Sequence, residues 1–403
     1  MDTQHHILIC GASIAGPVLS LFLSRSGIKT TIIERAASLR TTGQQIDIRG
    51  SGLTVVQRLG LEDIIRSKTT DEEGIEFVTE KGKQIASFPV NKEIGMSFTS
   101  DIEILRGELA LIFYHASTKK KETEYIFGDH VTEIEDSGKK VQVTLDSGKK
   151  LEFDLIIGAD GMNSKTRRIA FPKIKNPLKS LGQYIAFFTI PYQDSDGTFA
   201  RWYNAPGGRS IFLRPDKIGC TRAYLAVMSS VPAGYEKMNE EEQKKMFRDL
   251  FSDAGWEVSR VLDGMDKTDD WYMQEIAQVK MPTWHQGRVA LVGDAAYAPS
   301  PISGMGTSLA IVGAYVLAGE IVTNGADYEQ AFKNYEEKMR GYVDKAQRLL
   351  PGAPAIANPQ TRTGITILNG FLGFISSTGL ATLFSKFALS ATEERDDLPQ
   401  YRF

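Results

Sequence analysis

The sequence predicts an α/β protein in which a parallel-sheet domain is interrupted by a mostly antiparallel sheet and followed by helices. Three observations predict it. The apolar run His6–Cys10 leads into Gly11-Ala-Ser-Ile-Ala-Gly16-Pro17, then a helical-period run Val18–Leu23 and a second strand, Lys29–Ile33, that ends at Glu34. That is one βαβ unit at the head of the chain. Between Pro172 and Gln286 the texture changes to alternating, aromatic-rich strands, and from Arg288 to Val292 the short apolar strand type returns ahead of long helical patterns.

Taken in order, Gly27 is a helix stop, and Asp101–Thr118 reads as a helix with Leu105, Leu109, Ile112 and Phe113 on one face. Tyr125–Phe127, Val131–Glu135, Val141–Leu145 and Lys150–Phe153 read as short strands joined by Asp/Ser/Gly turns. Leu155–Ala159 is a buried type of strand ending at Asp160-Gly161. Tyr184–Pro191, Thr198–Tyr203, Ser210–Leu213 and Ala223–Met228 are the strands of the interrupting sheet. Helices are expected over Thr307–Thr323 and Asp327–Leu349, with Pro351, Gly352 and Pro354 as breaks before a last helix.

At 403 residues two domains are expected, and 42% apolar with 24% charged residues is ordinary for a globular chain. A net charge of -3 without a basic block gives no footprint for nucleic acid; Lys119–Lys121 is flanked by Glu122 and Glu124 and reads as a solvated turn. Cys10 and Cys220 alone build neither a disulfide framework nor a metal site, which points to a reducing cytosol and to no metal. The first strand begins almost at once, leaving no room for a signal peptide. Gly364–Leu389 is long and apolar enough to span a bilayer, but it contains Thr366, Asn369, Ser376, Ser377, Thr378, Ser385 and Lys386 and three internal glycines. A helix packed on the protein is expected there, without stable membrane insertion.

Three turns carry the chemistry. A helix N-terminus offers unpaired N–H groups and partial positive charge, so Gly11–Gly16 is suited to a pyrophosphate, with Glu34 placed for a ribose hydroxyl. Ser13 stands where the middle glycine of G-x-G-x-x-G is usual. Gly158-Ala-Asp160-Gly161-Met-Asn-Ser164-Lys-Thr-Arg167 is the second, and Gly293-Asp294 through Gly304-Met-Gly306 the third. Asp294 can accept from a ribitol or ribose hydroxyl, and the N–H groups of Gly304 and Gly306 can face a flavin's pyrimidine edge.

With Arg106 in Ile104-Leu-Arg-Gly-Glu-Leu109, these motifs resemble the aromatic-hydroxylase type of single-component flavoprotein monooxygenase. Gly43-Gln-Gln-Ile-Asp47-Ile-Arg49-Gly50, Ile102–Arg106 and the ending Leu398-Pro-Gln-Tyr401 are similar, more narrowly, to the tetracycline destructases that have an extra C-terminal helix. The resemblance implies a Rossmann-like FAD-binding domain with an inserted substrate-binding sheet. FAD would be held by Gly11, Ser13, Ala15, Gly16, Glu34, Arg35, Asp47, Arg106, Asp160, Asp294, Pro301, Gly304, Met305 and Gly306, and Arg40 would meet the NADPH or NADH co-substrate. It implies residues 1–171 and 287–350 as the two parts of the FAD domain, 172–286 as the substrate domain, 74–100 on the substrate side, and 351–403 as a lid helix and tail. It further implies a monomer that inserts one oxygen atom into an aromatic or polycyclic small molecule through a flavin 4a-hydroperoxide, with tetracyclines or other aromatic polyketides as candidate substrates. This sequence departs from the pattern at Ser13, at Tyr297 where His is common, and at Met305 and Ser308, where Gln and Asn are usual.

Phe187, Thr189, Arg201, Tyr203, Arg214 and Arg222 are the candidate substrate contacts, with Phe212 and Tyr224 on the same strands. His5, His6, His115, His130 and His285 form no constellation, and no catalytic acid or base is assigned. Two other classes stay open. A flavin-dependent halogenase lacks its Trp-x-Trp-x-Ile-Pro signature here, and a non-catalytic FAD-binding protein has no need of so large an aromatic sheet.

Overall fold

The computed structural model describes residues 5–41, 43–70, 72–90, 102–216, 219–229, 233–378 and 398–403. Strand β1 (His6–Cys10) lies at the centre of the architecture because Ile7, Leu8 and Ile9 are apolar on both faces and fully buried. Helix α1 (Ala15–Arg25) returns the chain to β2 (Lys29–Glu34), which pairs parallel with β1. At Gly16 a Cβ would run into the Gly11 carbonyl oxygen, and Gly11 itself has φ +117, so this close helix–strand turn requires glycine at both places.

A short ribbon follows, β3 (Gln45–Ile48), and then α2 (Ser51–Leu59), β4 (Gly74–Val78) and β5 (Gln84–Pro89). β6 (Ile102–Leu105) pairs antiparallel with β3, setting Asp47 opposite Glu103. The helix expected from Asp101 therefore begins only at Arg106, as α3 (Arg106–Ser117); Asp101 lies outside the described residues. The reason is that Ile102 and Ile104 are β-branched, alternate with Glu103, and are buried by the pairing with β3. β7 (Thr123–Phe127) joins β2, and β8 (Val131–Asp136), β9 (Val141–Leu145) and β10 (Lys150–Phe153) form a three-stranded sheet. β11 (Leu155–Gly158) returns beside β1 and gives way to α4 (Lys165–Ala170).

β12 (Leu178–Pro191), β13 (Ala200–Ala205), β14 (Arg209–Pro215) and β15 (Cys220–Met228) are the body of a second, seven-stranded sheet. α5 (Glu240–Phe251) and α6 (Val258–Lys267) precede its last strand, β16 (Tyr272–Val279). The strand order is β16-β12-β15-β14-β13-β4-β5, antiparallel except for β13 beside β4. Alternate residues such as Tyr184, Ala186, Phe188 and Ile190 face Phe247, Phe251, Val261 and Met265 of the two helices in one core. Those helices were not among the sequence expectations. Asn239 caps α5 in a reciprocal arrangement with Glu242, a signal that precedes an apolar 3.6-residue spacing.

The chain then closes the first sheet with β17 (His285–Gln286) and β18 (Val289–Leu291), giving the order β17-β18-β11-β1-β2-β7. α7 (Gly306–Asn324) is the one helix among the described residues long and apolar enough to cross a membrane, and most of it is buried inside the protein. α8 (Tyr328–Ala346) packs along it, capped by Asp327. α9 (Arg362–Thr378) lies against β5: Ile375 is buried with Ala86 and Phe88, and Ser376 exchanges hydrogen bonds of 3.0 Å with the Ser87 backbone. Residues 379–389 of the apolar Gly364–Leu389 segment, and 91–100 of the segment expected on the substrate side, lie outside the described residues. The chain ends on the first domain, where the Tyr401 hydroxyl donates to Glu320 and the Phe403 ring packs 4.8 Å from that of Phe22.

Candidate active site

A cavity of about 940 Å³ opens where the C-terminal ends of β1, β11 and β18 face the β3–β6 ribbon and one face of the seven-stranded sheet. Both α1 and α7 point N-termini at it, and neither has a side-chain cap. Their first N–H groups therefore lack the partner that a helix start normally acquires, which suits them to a negatively charged group.

Ser13, Ala15, Arg35, Arg40, Asp47, Arg106, Asp160, Asp294, Pro301, Gly304 and Gly306 line the cavity. Gly11, Gly16, Glu34 and Met305 stand behind its wall. Glu34 accepts from the Ala12 and Ala36 N–H groups at 3.1 and 3.0 Å, tying the first turn to the end of β2, and Met305 is the residue at which α7 starts. Arg106 donates to the Ser13 hydroxyl at 3.0 Å, so the serine that replaces glycine acquires a partner from the opposite side of the cavity. Asp294 is open to the cavity yet deep within the molecule. That setting pushes its carboxyl up from the ordinary carboxylate range, against the pull of the Arg106 guanidinium. Asp47 pairs with Arg49 at 2.9 Å.

Asp160 has a local task as well. It accepts from the Ser164 hydroxyl and from the Thr166 N–H and hydroxyl, at 3.0 and 3.1 Å for the latter two, and so fixes the start of α4. Two residues of the same sequence motifs, neither of them given a role from sequence alone, support this wall. Arg167, almost fully buried, reaches the Ala295 and Met162 carbonyls. Ser300 holds φ +82, unusual for a residue with a side chain, and its buried hydroxyl has no partner among the described residues. A short polar residue before Pro301 gave no signal of either property.

On the sheet side, the cavity face carries five aromatic rings in directly paired positions on neighbouring strands: Tyr272, Phe187, Tyr224, Phe212 and Trp202. Successive ring centroids are 6.0, 4.8, 5.7 and 5.0 Å apart. Thr189, Arg222 and Arg214 form the neighbouring row and line the cavity too. Arg201 and Tyr203 do not. They point to the other face of β13, where Arg201 meets Glu76 and the Tyr203 hydroxyl donates to the Ala254 carbonyl inside the core. The correction follows from the period of two: Trp202, between them, is the residue of β13 that reaches the cavity.

The profile of the FAD binding domain family matches residues 4–349. Monooxygenase CTB7 of Cercospora beticola is 34% identical over 418 aligned residues, covering 100% of this chain and 99% of the relative. The FAD-dependent monooxygenase asL6 of Sarocladium schorii is 33% identical, covering 98% and 97%. The crystal structure of tetracycline destructase Tet(51) superposes with a TM-score of 0.79 at 31% identity over the whole of both chains. Klebsiella pneumoniae HpxO, solved with FAD and uric acid, shares the fold at 19% identity and a TM-score of 0.77. The two uncapped helix starts, the Arg106–Ser13 bridge and the orphaned Ser300 hydroxyl around one cavity agree with these likenesses, and the chain belongs to the FAD-dependent monooxygenases built on this FAD-binding domain.

Proposed function

We propose that this enzyme consumes NADPH or NADH to insert one oxygen atom of dioxygen into a flat, polycyclic aromatic molecule, with tetracyclines among the candidate substrates. The observation that carries the reading is the row of five rings. Four inter-strand spacings make a platform roughly 19 Å long, which suits several fused rings better than a single phenol. Aromatic faces add offset-stacked and edge contacts to the burial of a flat substrate. The likeness to a tetracycline destructase supports the same substrate class, and the relatives' names favour an oxygenase over a halogenase or a carrier.

FAD, when bound, supplies the activation of dioxygen with electrons from the nicotinamide donor. The chain's residues do the rest. The N–H groups at the start of α1 would take the pyrophosphate, with Arg35 beside them. Arg106 and Asp294 would hold the polar chain between the rings, and Asp47, Pro301, Gly304 and Gly306 would border the flavin. Gly11, Gly16, Glu34 and Met305 set the backbone that does this from behind. Asp160, which lines the same cavity, would serve both FAD and the nicotinamide donor, and the exposed Arg40 guanidinium at the rim suits a phosphate of NAD(P)H. The sheet orients the substrate and, with α9 against its edge, keeps water from the reacting atoms. On this reading residues 1–171 and 287–350 make the FAD domain, apart from β4 and β5, which join the substrate sheet of 172–286, and 351–403 make the lid and tail; the reading takes the protein as a cytosolic monomer without membrane insertion.

The test is direct. Purified flavin-loaded enzyme is incubated with NADPH and chlortetracycline, donor oxidation is followed by absorbance, and product mass is recorded. Stimulated oxidation with one added oxygen atom is expected. Donor oxidation unaffected by any polycyclic phenol would falsify the substrate class.

A further inference from the structure

The row beside the aromatic platform holds two arginines, Arg214 and Arg222, directly opposite each other on β14 and β15. A guanidinium facing a substrate cavity is the obvious grip for an aromatic carboxylate. Here both are already committed to the protein. Arg214 directs Nε and Nη2 at the two oxygens of Glu72, at 2.9 and 3.1 Å, and also pairs with Glu103. Arg222 directs Nε and Nη2 at Asp216, at 3.2 and 3.1 Å, and Nη1 at Asp270, at 3.3 Å. Each guanidinium thus has two carboxylate partners, and all six side chains are largely withdrawn from solvent. Negative charge is in excess along this row, where water screens it little. Burial works against the charge on Asp270. Donation from Thr189 and Thr268, with Arg222 nearby, nonetheless holds its carboxyl below the ordinary range, so it stays an anion.

Gln45 lines the cavity beside this row, its backbone N–H donating to the Tyr224 hydroxyl at 3.3 Å. Its side-chain amide is closed to solvent and has no partner among the described residues.

Resting on the monooxygenase reading above, we propose that the Arg214–Arg222 row is a charge filter: it rejects polycyclic aromatics bearing a carboxylate and admits those that are neutral or carry a protonated amine. A carboxylate would have to displace Glu72 or Asp270 from its arginine, leaving a buried charge unpaired. A neutral phenol needs no such exchange, and an ammonium gains from the excess of anions.

The experiment uses the flavin-loaded enzyme and a matched pair of anthraquinones, aloe-emodin and rhein, which differ by a hydroxymethyl group in place of a carboxylate. Binding is read by perturbation of the flavin spectrum, without turnover. Aloe-emodin is expected to bind at least about tenfold more tightly than rhein. Glu72→Gln and Asp270→Asn, which each take one of its two carboxylate partners from an arginine, should narrow that gap from the rhein side. Rhein binding as tightly as aloe-emodin overturns the filter, as does binding of neither, or an unchanged gap in whichever variant retains FAD. Should both variants lose FAD, the wild-type pair decides. Donor oxidation stimulated by no ligand, with the binding preference intact, would sink the monooxygenase reading and leave the filter standing.

Discussion

Arg167 donates from its guanidinium to the Ala295 carbonyl, 2.8 Å away, and so ties the turn after β11 to the turn after β18. Those two turns carry Asp160 and Asp294, which face the same cavity. Replacement by alanine leaves the Ala295 and Met162 carbonyls without their charged donor, at a cost of about 1.5–3 kcal/mol. Arg167→Ala is expected to purify with substoichiometric FAD and a lowered melting temperature, both read from one preparation by the visible-to-ultraviolet absorbance ratio and calorimetry.

Arg106 acts on the cavity contents themselves. Arg106→Ala and Asp294→Ala each remove a cavity-lining group proposed to hold the polar chain of FAD, and each should weaken FAD binding by about ten- to a hundredfold, the equivalent of roughly 1–3 kcal/mol. Titrating apoprotein with FAD by fluorescence quenching measures this; full affinity in both variants would place the cofactor elsewhere.

Neighbouring residues on β13 should separate cleanly. Trp202→Ala truncates one ring of the platform and should raise KM for a polycyclic substrate with FAD content unchanged. Tyr203→Phe removes the buried hydrogen bond to Ala254, costing about 1 kcal/mol of stability, and should leave KM where it was. Steady-state kinetics and thermal melting on the two variants decide between the faces.

Glu336 provides a pH signature. Burial opposes its ionisation, but His285, Arg340, the Trp284 N–H and the Thr283 hydroxyl hold its carboxyl at about 2, against an ordinary 4.5. Because the folded value is the lower one, the contribution is complete above pH 4.5 and is lost as pH falls through 2. Wild type minus Glu336→Gln, compared by urea unfolding between pH 5 and 2.5, should show a stability difference that shrinks with acid; a constant difference contradicts the assignment.

The tail makes a further test. The Tyr401 hydroxyl donates to Glu320 on α7, and the Pro399 carbonyl accepts from Tyr315 at 2.7 Å and from Arg58 at 3.1 Å. Removing Leu398–Phe403 should lower the melting temperature and also loosen FAD, because α1, α2 and α7 are the helices it clasps and two of them start at the cavity. A drop in melting temperature with FAD affinity intact would confine the tail to a structural role.

The βαβ opening was legible because glycine spacing and a change from period two to 3.6 are local signals, and the Asp160 and Asp294 turns were legible for the same reason. β6 was not, since Ile102–Leu105 merges into the apolar pattern of the helix after it and only its pairing with β3 separates them. α5 and α6 were hidden by their many charges. Arg201 and Tyr203 show the harder limit: alternation says that Trp202 faces away from both, but which face meets a cavity depends on register with β4 and β14, strands distant in sequence.

The five paired rings do not lie in one plane: successive interplanar angles are 26, 65, 69 and 44°. A flat molecule displaced by one strand would therefore meet an edge where it had met a face, as a key shifted by one notch meets the wrong ward. On the proposed reading the row then sets position as well as shape, and replacing a single ring by alanine should scatter the oxygen among neighbouring carbons as well as slow the enzyme.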